Sequence, residues 1–209
     1  MTCVIGIQEK EGCYIAADSA TADEHFSDVT LAPKLFTPAH ATDFIIGGTD
    51  SWRMLQVLQF GLICGDLIKA PVEAGIANLM PYQIARERFD CRTEFEYIAR
   101  FFVEAIRKLF KDAGYATVKD GVDTGGTFLV AFRGCLYLIQ KDFQVSQYKS
   151  DLYACGSGFY YALGAMQMAR HIYMERKTLL TKTLEATSAY QPAYVRPPYI
   201  VRFQARPEE

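Results

Sequence analysis

Met1-Thr2-Cys3-Val4-Ile5-Gly6-Ile7-Gln8, then Glu9-Lys10-Glu11-Gly12, then Cys13-Tyr14-Ile15-Ala16-Ala17-Asp18-Ser19: the chain opens with two short β-rich runs joined by a polar connector ending in glycine. Such a pair reads as an antiparallel hairpin with strands over 2–8 and 13–18. Thr2 stands at its start. If Met1 is removed, Thr2 becomes the first residue, and its hydroxyl then lies beside its own free α-amine. An unperturbed α-amine titrates at about 7.7–8.0 and so serves as a base near neutral pH. A threonine hydroxyl is a weak nucleophile, and an N-terminal amine is one way to activate it. A small residue after an initiator methionine is common, so the rest of the chain must carry the case.

Working outward, short strands are expected around Lys34-Leu35-Phe36 and at Asp43–Ile46, the latter stopping at Gly47-Gly48. A helix then begins, capped by Thr49 or Asp50, with Trp52, Leu55, Leu58 and Leu62 at helical spacing. Pro71 and Pro81 mark breaks. Thr93 and Glu96 have the spacing of a capping box. They open a helix with Phe95, Ile98, Phe102, Ala105, Ile106 and Leu109 on its apolar side, ended by Gly114. Strands resume at 127–132 and 135–139 around an Arg133-Gly134 turn, and again at Asp151–Cys155. Helices follow over Tyr160–Met174 and Leu179–Ala189, then a last strand at Ile200–Phe203. Grouped strands alternating with paired helices favour an α+β fold with helices covering antiparallel sheet.

The 209 residues, half of them hydrophobic and 22% charged with a net charge of −2, fit a single folded domain over 1–209. There is no single-sign charge run, so no nucleic-acid footprint and no membrane-surface patch is expected. The apolar runs are too short to span a bilayer. Met1 leads straight into a strand, without an apolar leader segment, and the expected location is cytoplasmic. Six cysteines (Cys3, Cys13, Cys64, Cys91, Cys135, Cys155) show no C-x-x-C pair, which argues against a zinc or redox motif. Histidine is limited to His25, His40 and His171. No cofactor or metal is expected.

Four features remain: Thr2, the Ala17-Asp18-Ser19 triplet, Lys34, and Gly156-Ser157-Gly158. In order and spacing they resemble the β-type subunits of the proteasome and the simpler bacterial peptidase that works with a ring ATPase. The resemblance also takes in Gly47-Gly48 and Gly125-Gly126-Thr127, and so spans most of the chain. It implies an N-terminal nucleophile hydrolase fold, a four-layer αββα sandwich of two antiparallel sheets flanked by helix pairs. It implies a threonine endopeptidase acting on peptides or unfolded proteins, in a homo-oligomeric ring stack that a ring ATPase unfoldase serves. Thr2 would be the nucleophile, Lys34 would tune it, and Asp18 would hold Lys34. Ser157 would bond near the amine, and Gly48 or Gly47 would offer an oxyanion-hole N–H. Thr21 and Ile46 would bind substrate.

The chain also departs from that family. The stretch Tyr190-Gln191-Pro192-Ala193-Tyr194 lacks the Asp and Ser that the family carries before its last strand. Two other functions stay open: a catalytically silent structural subunit of the same fold, and a small-amide N-terminal nucleophile amidase. For specificity, Phe44-Ile45-Ile46 leads to an apolar pocket walled by Thr21 and Ala32, which would disfavour charged side chains. If Asp50 reaches the pocket instead, basic side chains are favoured.

Overall fold

The opening hairpin forms as expected and is the spine of one sheet. Strands β1 (Cys3–Gln8) and β2 (Gly12–Ala17) pair antiparallel, with Val4 opposite Ala17 and Gln8 opposite Cys13. The Glu9 N–H donates to the Gly12 carbonyl at 2.7 Å and closes the turn. This is a computed structural model, and it describes residues 2–22, 27–38, 43–62, 91–119 and 121–207. Met1, His25, His40, Cys64, Pro71, Pro81 and the end of the first helical region past residue 62 lie outside the described residues.

Two further strands complete the first sheet: β12 (Leu152–Gly156) against β1, and β13 (Ile200–Ala205) against β2. The second sheet is built from β5 (Leu35–Phe36), β6 (Phe44–Gly48), β9 (Phe128–Phe132), β10 (Cys135–Ile139) and β11 (Val145–Ser146). Its order is β11-β10-β9-β6-β5, antiparallel throughout. The Arg133-Gly134 turn between β9 and β10 has both residues at positive φ, 49° and 76°, as a tight two-residue hairpin requires. Two small hairpins that the sequence pattern did not announce are β3 (Ala20–Ala22) with β4 (Ser27–Val29), and β7 (Thr117–Lys119) with β8 (Val122–Thr124).

Period-two alternation sorts the strands into layers. From β1, Cys3, Ile5 and Ile7 join Leu180, Leu184 and Met166 of the helices α4 (Phe159–Ala169) and α5 (Arg176–Tyr190). Val4, on the other face, meets Ile15, Leu129 and Leu136 between the two sheets. From β6, Phe44 and Ile46 point the opposite way, to a third core shared with Leu55, Leu58, Phe102 and Ile106. Three apolar layers therefore separate helix pair, sheet, sheet and helix pair. The four-layer αββα sandwich is the fold.

The second helix pair holds two corrections. Helix α1 (Trp52–Gly61) is capped by Ser51, whose hydroxyl accepts from the Arg53 N–H, and not by Thr49 or Asp50. Thr93 caps the next helix as expected, accepting from the Glu96 N–H at 3.1 Å, but Glu96 reaches back to the Arg92 N–H. That helix starts as α2 (Glu94–Tyr97), passes through one π-helical stretch (Ile98–Phe102) and continues as α3 (Val103–Asp112). The wider π turn shifts the apolar phase by one residue. Val103, Ile106 and Phe110 are consequently buried after Ile98 and Phe102, while Phe95 is exposed and Leu109 only half-buried.

Phe44 is the keystone of this layer. Its ring stacks between Phe102 and Phe132, centroids 4.6 and 4.5 Å away. Phe44→Ala is expected to cost about 3–5 kcal/mol in a urea unfolding series. A loss below about 1 kcal/mol would mean that the helix pair does not depend on it.

Candidate active site

Asp18 directly follows the second strand of the opening hairpin and is 1% exposed. A carboxylate buried so deeply needs compensation on both oxygens, and it has it. Oδ1 accepts from the Thr2 hydroxyl at 2.5 Å, from the Cys3 N–H at 2.9 Å and from the Lys34 ammonium at 3.0 Å. Oδ2 accepts from the Ala20 N–H at 2.8 Å, from Lys34 again at 3.0 Å and from the Arg196 N–H at 3.4 Å. Thr2 and Lys34 are themselves buried, 1% and 3% exposed. Thr2, Asp18 and Lys34, spread over the first 34 residues, meet at one point.

Burial pushes the Lys34 ammonium below its usual 10.5, and the Asp18 carboxylate pulls it partly back. Native Lys34 therefore releases its proton before the unfolded chain does. Between the two values the unfolded chain binds more protons, so this group makes stability rise with pH across that window. Cys3, next to Thr2, is pushed up to about 12, by burial first and by the Asp18 charge second. It is an inert thiol at neutral pH.

Gly156-Ser157-Gly158 packs against Thr2 from the far side. Gly156, opposite Cys3 in the β1–β12 ladder, has φ 93°, and a Cβ there would fall 2.2 Å from the Thr2 carbonyl oxygen. Only glycine fits. The Ser157 hydroxyl donates to that same Thr2 carbonyl at 3.3 Å. It fixes the main chain of Thr2, where the expectation was a bond near the amine.

Gly47 and Gly48 behave differently from expectation. The Gly48 N–H donates to the Lys34 carbonyl at 3.2 Å, within the second sheet, and is not aimed at a ligand. A Cβ on Gly48 would stand 2.2 Å from Leu55 Cδ2, and one on Gly47 would stand 2.6 Å from Val4 Cγ1. These glycines let α1 and the first sheet approach β6 closely. Ile46 is fully buried on the helix side of β6, and Ile45 faces the layer between the sheets. The apolar pocket expected there is filled by the core itself. Thr21 is tied to α1, its hydroxyl accepting from the Trp52 indole N–H at 2.9 Å, and Ala32 is exposed.

The open space beside Thr2 lies elsewhere. A groove of about 680 Å³ is bordered by Thr2, Thr49, Thr127, Ser157, Leu138 and Phe159, with Asp50, Lys141 and Asp142 supplying its charge. Thr127 belongs to the Gly125-Gly126-Thr127 match but was given no role there, and residues 138–142 were not singled out, because β10 reads only as a core strand. Just after the stretch that lacks Asp and Ser, main chain meets Asp18 and Ser19. Arg196 donates its N–H to Asp18, its carbonyl accepts from the Ser19 N–H at 3.0 Å, and the Ser19 hydroxyl donates to the Pro198 carbonyl at 2.6 Å. Nothing in side-chain pattern could have signalled contacts made by backbone. Among the described residues, no cluster of three or more His, Cys, Asp or Glu could hold a metal ion, and no helix is long and apolar enough to cross a membrane.

No protein-family model matches this chain, and no curated protein matches it in sequence. Solved structures do. The chain is similar to Thiobacillus denitrificans BPH with a TM-score of 0.70 and 16% identity, covering 100% of both chains. Against Thiobacillus denitrificans BPH in complex with epoxomicin the TM-score is 0.69 at 16% identity, over 99% of this chain and 100% of that one. Against eukaryotic HslV from Trypanosoma brucei it is 0.65 at 13% identity, over 98% and 100%. The shared feature is the fold, that of the proteasome-like N-terminal nucleophile hydrolases, as the resemblance implied.

Removing one partner of a buried ion pair leaves the other uncompensated. Asp18→Asn is therefore expected to cost about 3–5 kcal/mol in denaturant unfolding. Adding Lys34→Met should recover part of that loss, because it removes the stranded ammonium. Additive losses in the double variant would show that the two side chains do not act as a pair.

Proposed function

We propose that the chain is a proteasome-like threonine endopeptidase, with Thr2 as nucleophile once Met1 has been removed. The observation that carries this reading is the meeting of the Thr2 hydroxyl and the Lys34 ammonium on one buried Asp18 carboxylate, beside an open groove, in this fold. With Met1 attached the Thr2 nitrogen is a peptide nitrogen, so removal of Met1 is part of the proposal.

The chemistry follows from the groups present. The Thr2 oxygen adds to the scissile carbonyl carbon and its proton passes to the freed α-amine. The amine returns that proton to the departing nitrogen as the C–N bond breaks, leaving an ester on Thr2. Water then hydrolyses the ester by the same proton path in reverse. Lys34 favours the neutral amine through like-charge repulsion and stabilises negative charge on the threonine oxygen. Asp18 holds Lys34 in place, and Ser157 fixes the Thr2 carbonyl. No oxyanion role is assigned to Gly48, whose N–H is engaged. The reading extends to a ring stack of copies of this chain with sites facing an enclosed chamber, fed with unfolded protein by a ring ATPase.

A second reading is favoured by the Gly48 N–H on the Lys34 carbonyl and by the absence of Asp and Ser at 190–194: a catalytically silent structural subunit of the same fold. Intact mass and peptide turnover separate the two. The peptidase reading expects a mass lacking Met1, turnover of a fluorogenic peptide, and at least about a thousandfold loss of turnover in Thr2→Ala. Turnover by Thr2→Ala equal to the parent would sink the nucleophile. A retained Met1 with no turnover would establish the silent subunit. Light scattering at micromolar concentration tests assembly, and a monomeric mass would rule out an enclosed chamber.

A further inference from the structure

Asp50 faces the groove beside Thr2, and it is held there. Its Oδ2 accepts from the Thr127 N–H at 2.9 Å and its Oδ1 lies 3.5 Å from the Thr49 hydroxyl. The carboxylate is thereby held at the groove by the Thr127 main chain, while the Thr49 hydroxyl gives its proton to the Thr127 carbonyl at 2.9 Å. Its charge is balanced only loosely. Lys141 approaches Oδ2 at 3.6 Å, from a side chain that is 66% exposed against 32% for Asp50. An ion pair so open to water is worth little and exchanges freely. Asp142, next along the same wall, adds a second carboxylate.

We propose that Asp50 is the specificity-determining group of this groove, and that it selects substrates with a Lys or Arg side chain beside the scissile bond. The inference rests on the peptidase reading above and names its substrate class. The three charged lining residues, Asp50, Lys141 and Asp142, sum to one negative charge. The Lys141 ammonium marks the place where a substrate cation sits, and a substrate side chain replaces it there. A groove of about 680 Å³ has room for a long side chain. Leu138 and Phe159 line the apolar part, against which the methylene stem of Lys or Arg packs while its charged head stays at the polar rim. The β6 wall offers no competing apolar pocket, because Ile46 is spent on the helix-side core. An acidic substrate side chain would meet Asp50 and Asp142 and be repelled.

The test is a peptide library varied on both sides of the cut, read by mass spectrometry, with the full-length chain, its Thr2→Ala variant, Asp50→Asn and Lys141→Glu. Asn keeps an oxygen for the Thr127 N–H and removes only the charge. The parent is expected to favour Lys and Arg over Leu by about five- to tenfold in kcat/KM, the scale of a half-buried ion pair. Asp50→Asn should bring that ratio close to one. Lys141→Glu, at an exposed position where folding is not at stake, should raise it. Thr2-dependent cleavage with no basic preference, or a preference that neither variant moves, overturns this inference and leaves the peptidase reading standing. Absence of cleavage by the parent overturns the peptidase reading, and this inference with it.

Discussion

The structure depends on the burial of one charge pair. Asp18 and Lys34 sit at the end of β2 and the start of β5, strands of different sheets, with side chains 0% and 2% exposed. Two charges so far from water are tolerated only when every lone pair and proton finds a partner. Asp18 meets that demand with main-chain donors from Cys3, Ala20 and Arg196. The first strand, the turn after β2 and the segment before the last strand are thereby tied to one carboxylate. The two sheets are fastened to each other at the same point. The demand for compensation is thus also what places the Thr2 hydroxyl, since it fills the remaining position on Oδ1.

Legibility in the sequence followed physical locality. The opening hairpin, the β9–β10 turn at Arg133-Gly134 and the Thr93 cap were readable because turn and cap chemistry act over four residues or fewer. The layer order was readable only through resemblance. Period-two alternation says that Phe44 and Ile45 face opposite ways, but not which of them meets helices. The phase of the long helix was lost at the π turn, because Ile98–Phe102 carries no residue that marks it. Thr2, Asp18, Lys34 and Ser157 were found by spacing, and the structure places all four around one another. Arg196 was not found, and Thr127 was matched without a role, because each acts through its main-chain N–H and any residue type has one.

The glycines show where reasoning from residue type to role is ambiguous. A glycine beside a suspected nucleophile suits close approach of a ligand, and it suits close packing of two elements equally well. At Gly156 the limit is the Thr2 carbonyl 2.2 Å from a would-be Cβ, together with φ 93°. At Gly48 it is the Leu55 side chain from helix α1. Gly156 excludes larger residues outright, whereas a larger residue at Gly48 requires the Leu55 side chain to shift, and both limits are internal to the fold. Glycine there is evidence about packing first, and about chemistry only when its N–H is free to donate.

The same logic moves specificity from one strand face to another. An apolar run such as Phe44-Ile45-Ile46 next to a site invites the reading of an apolar pocket, yet a β-strand between two packed layers has no face left for substrate. Ile46 goes to the helices and Ile45 to the opposite sheet. What a sandwich leaves open is its end, where strands stop and turns begin. That is where Asp50 follows β6, and where Lys141 and Asp142 follow β10. Residues at strand ends are freed from the packing of the core, and the site's charge can vary there without disturbing the layers. A buried pair that holds the sheets together and an exposed rim that carries the charge are accordingly separate parts of the molecule, and each can change without the other.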